Sequence, residues 1–310
     1  MRDPAAADGG FRHVAWFYRT PGEYAAAADE FMRAGIARDE PLFAALPGGQ
    51  LPAGSQVTSG AAMTLADMCE LGRNPARLIP AIRSFGEGFS GRRIRFLGES
   101  AWPGRSTAEL SEAGRHEALL NLAFAGAEIS ILCPYDVASL PAAVIAAARS
   151  THPFVRSGDD ELDNPDYLEP AGFLAKTGQP LVAPELTETL AYDRDLRPVR
   201  ALVAAVGQRA GMDPARRTDL VIAASEVAAN TLRHTRSGGL IRLWTTDDEV
   251  LCQIEDTGFI ADPLAGRWRS PADAAGRQGL WLVNQVCDLA EIRTSELGTT
   301  VRLHMLRNLS

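Results

Sequence analysis

Ala224-Ser225-Glu226-Val227-Ala228-Ala229-Asn230-Thr231-Leu232-Arg233-His234 is the stretch on which the reading of the C-terminal half turns. Glu226, Asn230 and His234 recur every four positions, so a helix puts all three on one face. Val227, Ala228 and Leu232 flank them, and polar groups in such a setting need a reason. An Asn amide oxygen is a hard ligand of the kind Mg²⁺ takes beside phosphates. A Glu one turn earlier is placed to orient or deprotonate a hydroxyl that attacks a γ-phosphate. Arg233 and His234 follow as candidate phosphate contacts. A solvated helix edge accounts for the same residues if they are read alone.

Three further segments follow in order. Asp256-Thr257-Gly258 ends a strand-like run; a carboxylate there can accept the amino group of adenine, and Gly258 admits close approach to the backbone. An ordinary Asx turn is the plainer reading. Gly276-Arg277-Gln278-Gly279-Leu280 opens an apolar helix, with two glycines that let the backbone curl round phosphates at a helix N-terminus. A simple loop-to-helix junction reads the same way. Gly298-Thr299-Thr300 precedes the last strand, and Thr299 offers a hydroxyl beside the adenine position. Each segment alone is weak, but the four in this order read as one nucleotide site.

Around these segments the second domain, 188–310, has helical periods at 195–210, 213–234 and 279–287. Strand-like runs lie at 239–245, 250–255, 289–294 and 299–305. Helices over a largely antiparallel sheet make an α+β two-layer sandwich. Residues 11–157 instead alternate strand and helix: strands at 14–18, 41–46, 93–97 and 127–133, and helices at 23–37, 74–83, 115–124 and 140–150. That pattern implies an α/β domain with a largely parallel sheet. Between the two, 158–187 is acidic and then punctuated by Pro165, Pro170, Pro180 and Pro184, a linker or a strap lying over a domain face.

With 310 residues the chain is long enough for two ordinary domains. A net charge of −8, from 39 acidic and 31 basic residues, argues against direct nucleic-acid binding. The four cysteines lie far apart with no CxxC pair, so buried free thiols are expected rather than a zinc site or a disulfide frame. The first residues form a polar tail without an apolar signal core, and no run reaches the roughly 18 apolar residues of a membrane span. The expected location is the cytoplasm.

The four segments resemble the N box, the two glycine boxes and the last threonine of the GHKL ATPases (the Bergerat fold). Within that group they are most similar to the RsbW-like anti-sigma-factor serine kinases of sporulation and general-stress switches. One position departs: Ile260 stands where the second glycine of Asp-x-Gly-x-Gly falls. The resemblance implies ATP and Mg²⁺ as cofactors. It implies Glu226 as catalytic base, Asn230 as the Mg²⁺ ligand, and Asn230, Arg233, His234, Asp256, Gly258, Gly276, Gly279, Leu280 and Thr299 as ATP-binding residues. A sensor histidine kinase would carry a phosphoacceptor His on a helix before the ATPase domain, and His152 does not fit that place.

The first domain resembles the MEDS sensory domain, on Arg12-His13, Gly98-Glu99, Trp102, Glu117 to Asn121, Cys133-Pro134-Tyr135-Asp136 and His152-Pro153. Its strand order is RecA-like, but the turn Tyr18-Arg19-Thr20-Pro21-Gly22-Glu23-Tyr24 lacks the Gly-rich run and lysine of a phosphate loop. His13, Glu99, Trp102 and Tyr135 lie at or beyond strand ends and are the candidates for a sensory pocket. A MEDS-like domain followed by an RsbW-like ATPase resembles the RsbA-type anti-sigma regulators of actinobacteria. That implies a sigma factor and a STAS-domain antagonist as partners, a small-molecule ligand for the first domain, and a homodimer. A non-catalytic partner switch is the competing expectation.

Overall fold

The computed structural model describes residues 10–53, 55–57, 63–158, 160–235, 237–268 and 278–308. Their contacts divide the chain into two compact units, 1–177 and 178–310.

The first unit opens with β1 (Arg12–Tyr18), which runs into α1 (Pro21–Ala37). Thr20 caps α1 by accepting from Glu23 N at 3.2 Å, Pro21 takes the first turn, and the Glu23 carboxylate accepts from Arg19 N at 2.7 Å. A carboxylate therefore occupies the amide that a phosphate loop would offer to its anion. There follow β2 (Leu42–Leu46), β3 (Met63–Asp67), α2 (Met68–Leu71), α3 (Leu78–Glu87), β4 (Ile94–Gly98), α4 (Thr107–Ala123), β5 (Ile129–Asp136), α5 (Ala142–Thr151), β6 (Phe154–Ser157), β7 (Asp160–Asp163) and α6 (Pro170–Lys176). The sheet runs β3-β2-β4-β5-β1-β6-β7, parallel except for the antiparallel pairing of β7 with β6.

Side chains alternate across this sheet. Val14, Trp16 and Leu132 pack with Ala27, Ala28, Phe31 and Met32 of α1 on one face. His13 and Cys133 point to the other face, where both meet Glu117 of α4. α4 starts earlier than the sequence periodicity suggests. A capping box, with Ser106 and Glu109 bonding reciprocally, sets its start two turns before 115. Residues 158–187, read as a linker or strap, carry β7 and α6 in the first unit. In the second unit, the carbonyls of Leu181 and Val182 accept from Gln253 Nε2 at 3.1 Å and Arg302 Nη2 at 2.8 Å.

The second unit comprises β8 (Glu188–Tyr192), α7 (Arg197–Arg209), α8 (Pro214–His234), β9 (Gly239–Thr245), β10 (Glu249–Asp256), α9 (Gly279–Val286), β11 (Leu289–Ser295) and β12 (Gly298–Leu306). Its sheet, in the order β11-β12-β10-β9-β8, is antiparallel throughout. Ile241, Leu243, Cys252, Ile254, Val301 and Leu303 on its inner face form one core with Val203, Leu220, Ala224, Val227 and Val283 of the three helices. This is the two-layer sandwich read from the sequence, and the first unit is the expected α/β sheet. All four cysteines are free thiols. Among the described residues no helix is long and apolar enough to cross a membrane.

The outer face of the second sheet carries a buried ionic network. His304 Nδ1 lies 3.1 Å from Glu249 Oε2 and Nε2 lies 3.0 Å from Glu291 Oε1. Burial opposes the charge on this ring, but the two carboxylates outweigh it and push its pKa up to about 9. Because the folded value lies above the unfolded 6.5, the stabilisation is fully present below about pH 6.5 and is lost as pH rises through about 9. Thermal unfolding of the chain between pH 6 and 10 should therefore show a transition that falls over this interval. His304→Gln should flatten that dependence, at about 1.4 kcal/mol for every tenfold by which folding tightens the ring's hold on its proton.

Candidate functional site

α8 is the scaffold of the C-terminal site. Asp213 caps it, accepting from Ala215 N at 2.8 Å and Arg216 N at 3.3 Å, and Pro214 takes the first turn. Leu220, Ala223, Ala224, Val227 and Ala228 anchor its inner stripe in the core. Glu226 and Asn230 sit half-buried beside that stripe, while Arg233 and His234 are exposed in the last turn. Arg233 Nη1 donates to Asn230 Oδ1 at 2.7 Å.

The first residue of α9 meets this edge. A Cβ on Gly279 would stand 2.8 Å from Glu226 Oε2 and 3.3 Å from Asn230 Nδ2, so a larger residue there would displace those two side-chain ends. The structure thus brings together Glu226, Asn230 and Gly279. The start of α9 lies at the same corner, and a helix N-terminus favours an anion. Leu280 is half-buried and packs against the core. Gly276, with Arg277, lies outside the described residues.

Asp256, at the end of β10, ties the sheet to the same helix. Its Oδ2 accepts from Thr231 Oγ1 at 2.6 Å and its Oδ1 from Gly258 N at 2.7 Å. Thr299, paired with Asp256 across β10 and β12, donates to Gly258 O at 2.9 Å. Gly298 has φ +135°, and a Cβ there would fall 2.1 Å from Asp256 O, so β12 can begin beside Asp256 only with glycine. The departure at Ile260 is absorbed without strain: its N–H donates to Thr294 Oγ1 at 3.0 Å, and Asp39 is the sole non-glycine residue with positive φ among the described residues.

Two contributors were not singled out in the sequence. Thr231 is the helix-side partner of Asp256, and its position one residue after Asn230, turned inward at 1% exposure, was a readable signal. Tyr192 of β8 lays its hydroxyl over Gly239, and burial, aided by the Asp256 charge, pushes its pKa up to about 12. Its role depends on a strand pairing that no local pattern announces.

In the first unit the four residues read as a sensory pocket do not converge. Glu99 lies at the carboxyl end of β4, where Tyr18 Oη donates to its Oε1 at 2.8 Å. Burial, with the Asp136 charge adding to it, raises the Glu99 pKa against the pull of Tyr18 and Tyr24. Trp102 is stacked by Arg105, whose guanidinium lies 4.2 Å from the ring centre. His13 and Tyr135 point to the opposite face, among Glu117, Cys133 and His152. There burial, and the Glu117 charge after it, pushes the Cys133 thiol well up. His152 is held down to about 3, by burial first and then by His13. Glu117 stays well below the usual carboxylate range: burial opposes ionisation, but the His13 hydrogen bond and the neighbouring histidines outweigh it.

Two family models match the chain. Residues 12–153 match MEDS, the methanogen/methylotroph, DcmR sensory domain, and residues 190–305 match the histidine kinase-like ATPase domain. The chain is a MEDS domain followed by a histidine kinase-like ATPase domain. No curated protein matches it. Among solved structures it is similar to the RsbU and RsbW domains of Rv1364c from Mycobacterium tuberculosis, at 22% identity with a TM-score of 0.31. That match covers 41% of this chain and 34% of the other, so this chain spans about a third of that structure.

The Thr231–Asp256–Gly258 contacts make a stability prediction. Asp256→Ala leaves the Gly258 N–H without its acceptor and the buried Thr231 hydroxyl with only the longer bond to Val227 O at 3.4 Å, a loss of about 2–3 kcal/mol in urea unfolding. Thr231→Val removes one partner only, and about 1 kcal/mol should follow.

Proposed function

We propose that the second domain binds Mg·ATP and phosphorylates a serine or threonine of a STAS-type antagonist, and that the same domain sequesters a sigma factor. The MEDS domain biases the exchange between the two partners in response to a ligand. The observation that carries this reading is the corner formed by Glu226, Asn230 and Gly279, joined through Thr231 to Asp256. The ATPase family match over 190–305 supports it.

The residues fit the nucleotide. Gly279 brings its backbone close to a carboxylate and an amide, with no side chain of its own in the way. Asp256, fixed by Thr231 and Gly258, presents a carboxylate edge to an adenine amino group, with Thr299 beside it. Asn230 offers its amide oxygen to Mg²⁺. Arg233 holds that oxygen in this structure and is released to a phosphate when the cation takes it. When bound, Mg·ATP supplies the phosphoryl group. Glu226 accepts the proton of the attacking hydroxyl, and the start of α9 gathers the phosphate charge.

Isothermal titration of the chain with ATP and Mg²⁺ should give saturable heat. Asp256→Asn should weaken the nucleotide, because the amide reverses one hydrogen-bonding edge, and Asn230→Ala should lose the Mg²⁺-dependent part of the affinity. No binding up to millimolar nucleotide would leave a non-catalytic partner switch.

Glu226→Gln separates catalysis from binding. ATP affinity should persist while transfer of labelled phosphate to a STAS-domain antagonist falls by roughly 10²-fold or more, the scale of a lost general base. Equal transfer rates in variant and wild type would remove Glu226 from that role.

A further inference from the structure

We propose that His13, Glu117, Cys133 and His152 form a tetrahedral site for a divalent first-row transition-metal ion, with Zn²⁺ the best match. The site lies in the MEDS domain, apart from the ATPase corner, and does not rest on the reading of that corner. One ligand atom from each residue lies within 4.8 Å of every other, and all four residues are buried, none above 1% exposure.

Four of the six spacings are close to those of a coordination shell. His13 Nε2 lies 3.1 Å from Glu117 Oε2, Cys133 Sγ lies 3.5 Å from both, and His152 Nε2 lies 3.6 Å from Glu117 Oε2. Metal bonds of about 2.0–2.3 Å at tetrahedral angles place ligand atoms roughly 3.3–3.7 Å apart. Two imidazoles, one thiolate and one carboxylate form the mixed donor set that borderline Zn²⁺ accepts. With four protein ligands the site is closed, as in structural or sensory centres rather than hydrolytic ones.

The outer contacts fix which atoms face inward. His152 Nδ1 lies 2.8 Å from the Ala148 carbonyl, which can only accept, so Nδ1 carries the proton. Asn121 Nδ2 donates to the carbonyls of Thr151 at 2.8 Å and Glu117 at 3.3 Å, which turns its Oδ1 toward His13 Nδ1, 3.0 Å away. Both neutral rings then present Nε2 lone pairs to the centre, the tautomer that metal-binding histidines adopt. Ser100 Oγ donates to Glu117 Oε1 and leaves Oε2 for the centre.

Three lone-pair donors thus converge around a weakly acidic thiol. One proton bridges His13 and Glu117 but leaves the buried His152 Nε2 with no hydrogen-bond partner. A divalent cation satisfies all four at once, with release of that bridging proton and of the Cys133 thiol proton to solvent. The ligands come from β1, α4, β5 and the residue that ends α5, so the ion would clamp four elements of one face.

The test uses the full chain under reducing conditions, without a metal-affinity tag. After chelator treatment, titration with Co²⁺ should give tetrahedral ligand-field absorption and a thiolate-to-metal charge-transfer band, saturating at about one equivalent. Zn²⁺ should displace the Co²⁺ and raise the unfolding temperature in a saturable way. The band should survive in the combined Cys69→Ala, Cys252→Ala and Cys287→Ala variant, where Cys133 is the remaining thiol. It should vanish in Cys133→Ser. Asn121→Ala should weaken affinity about 10–100-fold. Absence of the charge-transfer band in the wild-type chain, or its persistence in Cys133→Ser, overturns the proposal. The wild-type spectrum decides even where a variant does not fold.

Discussion

The Asp256 carboxylate is the joint between the helix layer and the sheet of the second domain. A two-layer sandwich coheres through apolar burial, which is strong but nondirectional. It does not by itself set how far one helix slides along the sheet. Asp256 supplies that direction by taking Thr231 from the helix layer and Gly258 from its own strand end. The register of α8 then places Asn230 and Glu226 one step and just over one turn away. Gly298 makes the joint possible from the other side, because no side chain fits over the Asp256 carbonyl.

In the first domain the governing constraint is the alternation of a strand. His13 and Val14 are neighbours in sequence and belong to opposite faces, one ionic and one apolar. The same rule parts Glu99 from Ser100: Glu99 meets Tyr18 of β1, while Ser100 meets Glu117 of α4. The connection after β1 leads through α1 toward β2 and the one after β5 leads through α5 toward β6. The adjacent ends of β1 and β5 are therefore the switch point where open α/β sheets take ligands. Tyr18, Glu99 and Asp136 stand there, and the phosphate loop of related topologies is replaced by the Thr20–Glu23 cap.

Local patterns were legible. The four-residue spacing of Glu226 and Asn230, the helical period over 213–234 and Gly279 at the start of α9 each follow from helix geometry, and the structure assembles all of them. Pairing across long separations was not. His13 meets Glu117 only because β1 lies in register with β5, His13 opposite Ile131 and Ala15 opposite Cys133, across more than a hundred residues. From sequence alone His13 therefore went with Glu99 and Trp102, although His13 stands near the amino end of β1 and Glu99 beyond the carboxyl end of the parallel β4. The early start of α4 was written in Ser106-x-x-Glu109, though its first turns lack an apolar stripe. Residues 181–182 show the other limit. Their backbone bonds come from Gln253 and Arg302, whose polar side chains on a sheet face say nothing of what they hold.

Those two bonds fix where the chain enters the second unit. The covalent path out of the first domain runs from His152 through β6, β7 and α6 to residue 177, then into 181–182. Asn164 fastens its beginning, donating to the His152 carbonyl at 2.7 Å. Arg302 and Gln253 fasten its end, and Arg302 also pairs with Glu291 at 3.6 Å, inside the network that charges His304. A hydrogen bond from a neutral amide is worth about 1 kcal/mol and one from a charged group about 1.5–3. The strap is thus held to the outer face by a few directional bonds, on the side of the sheet opposite α8.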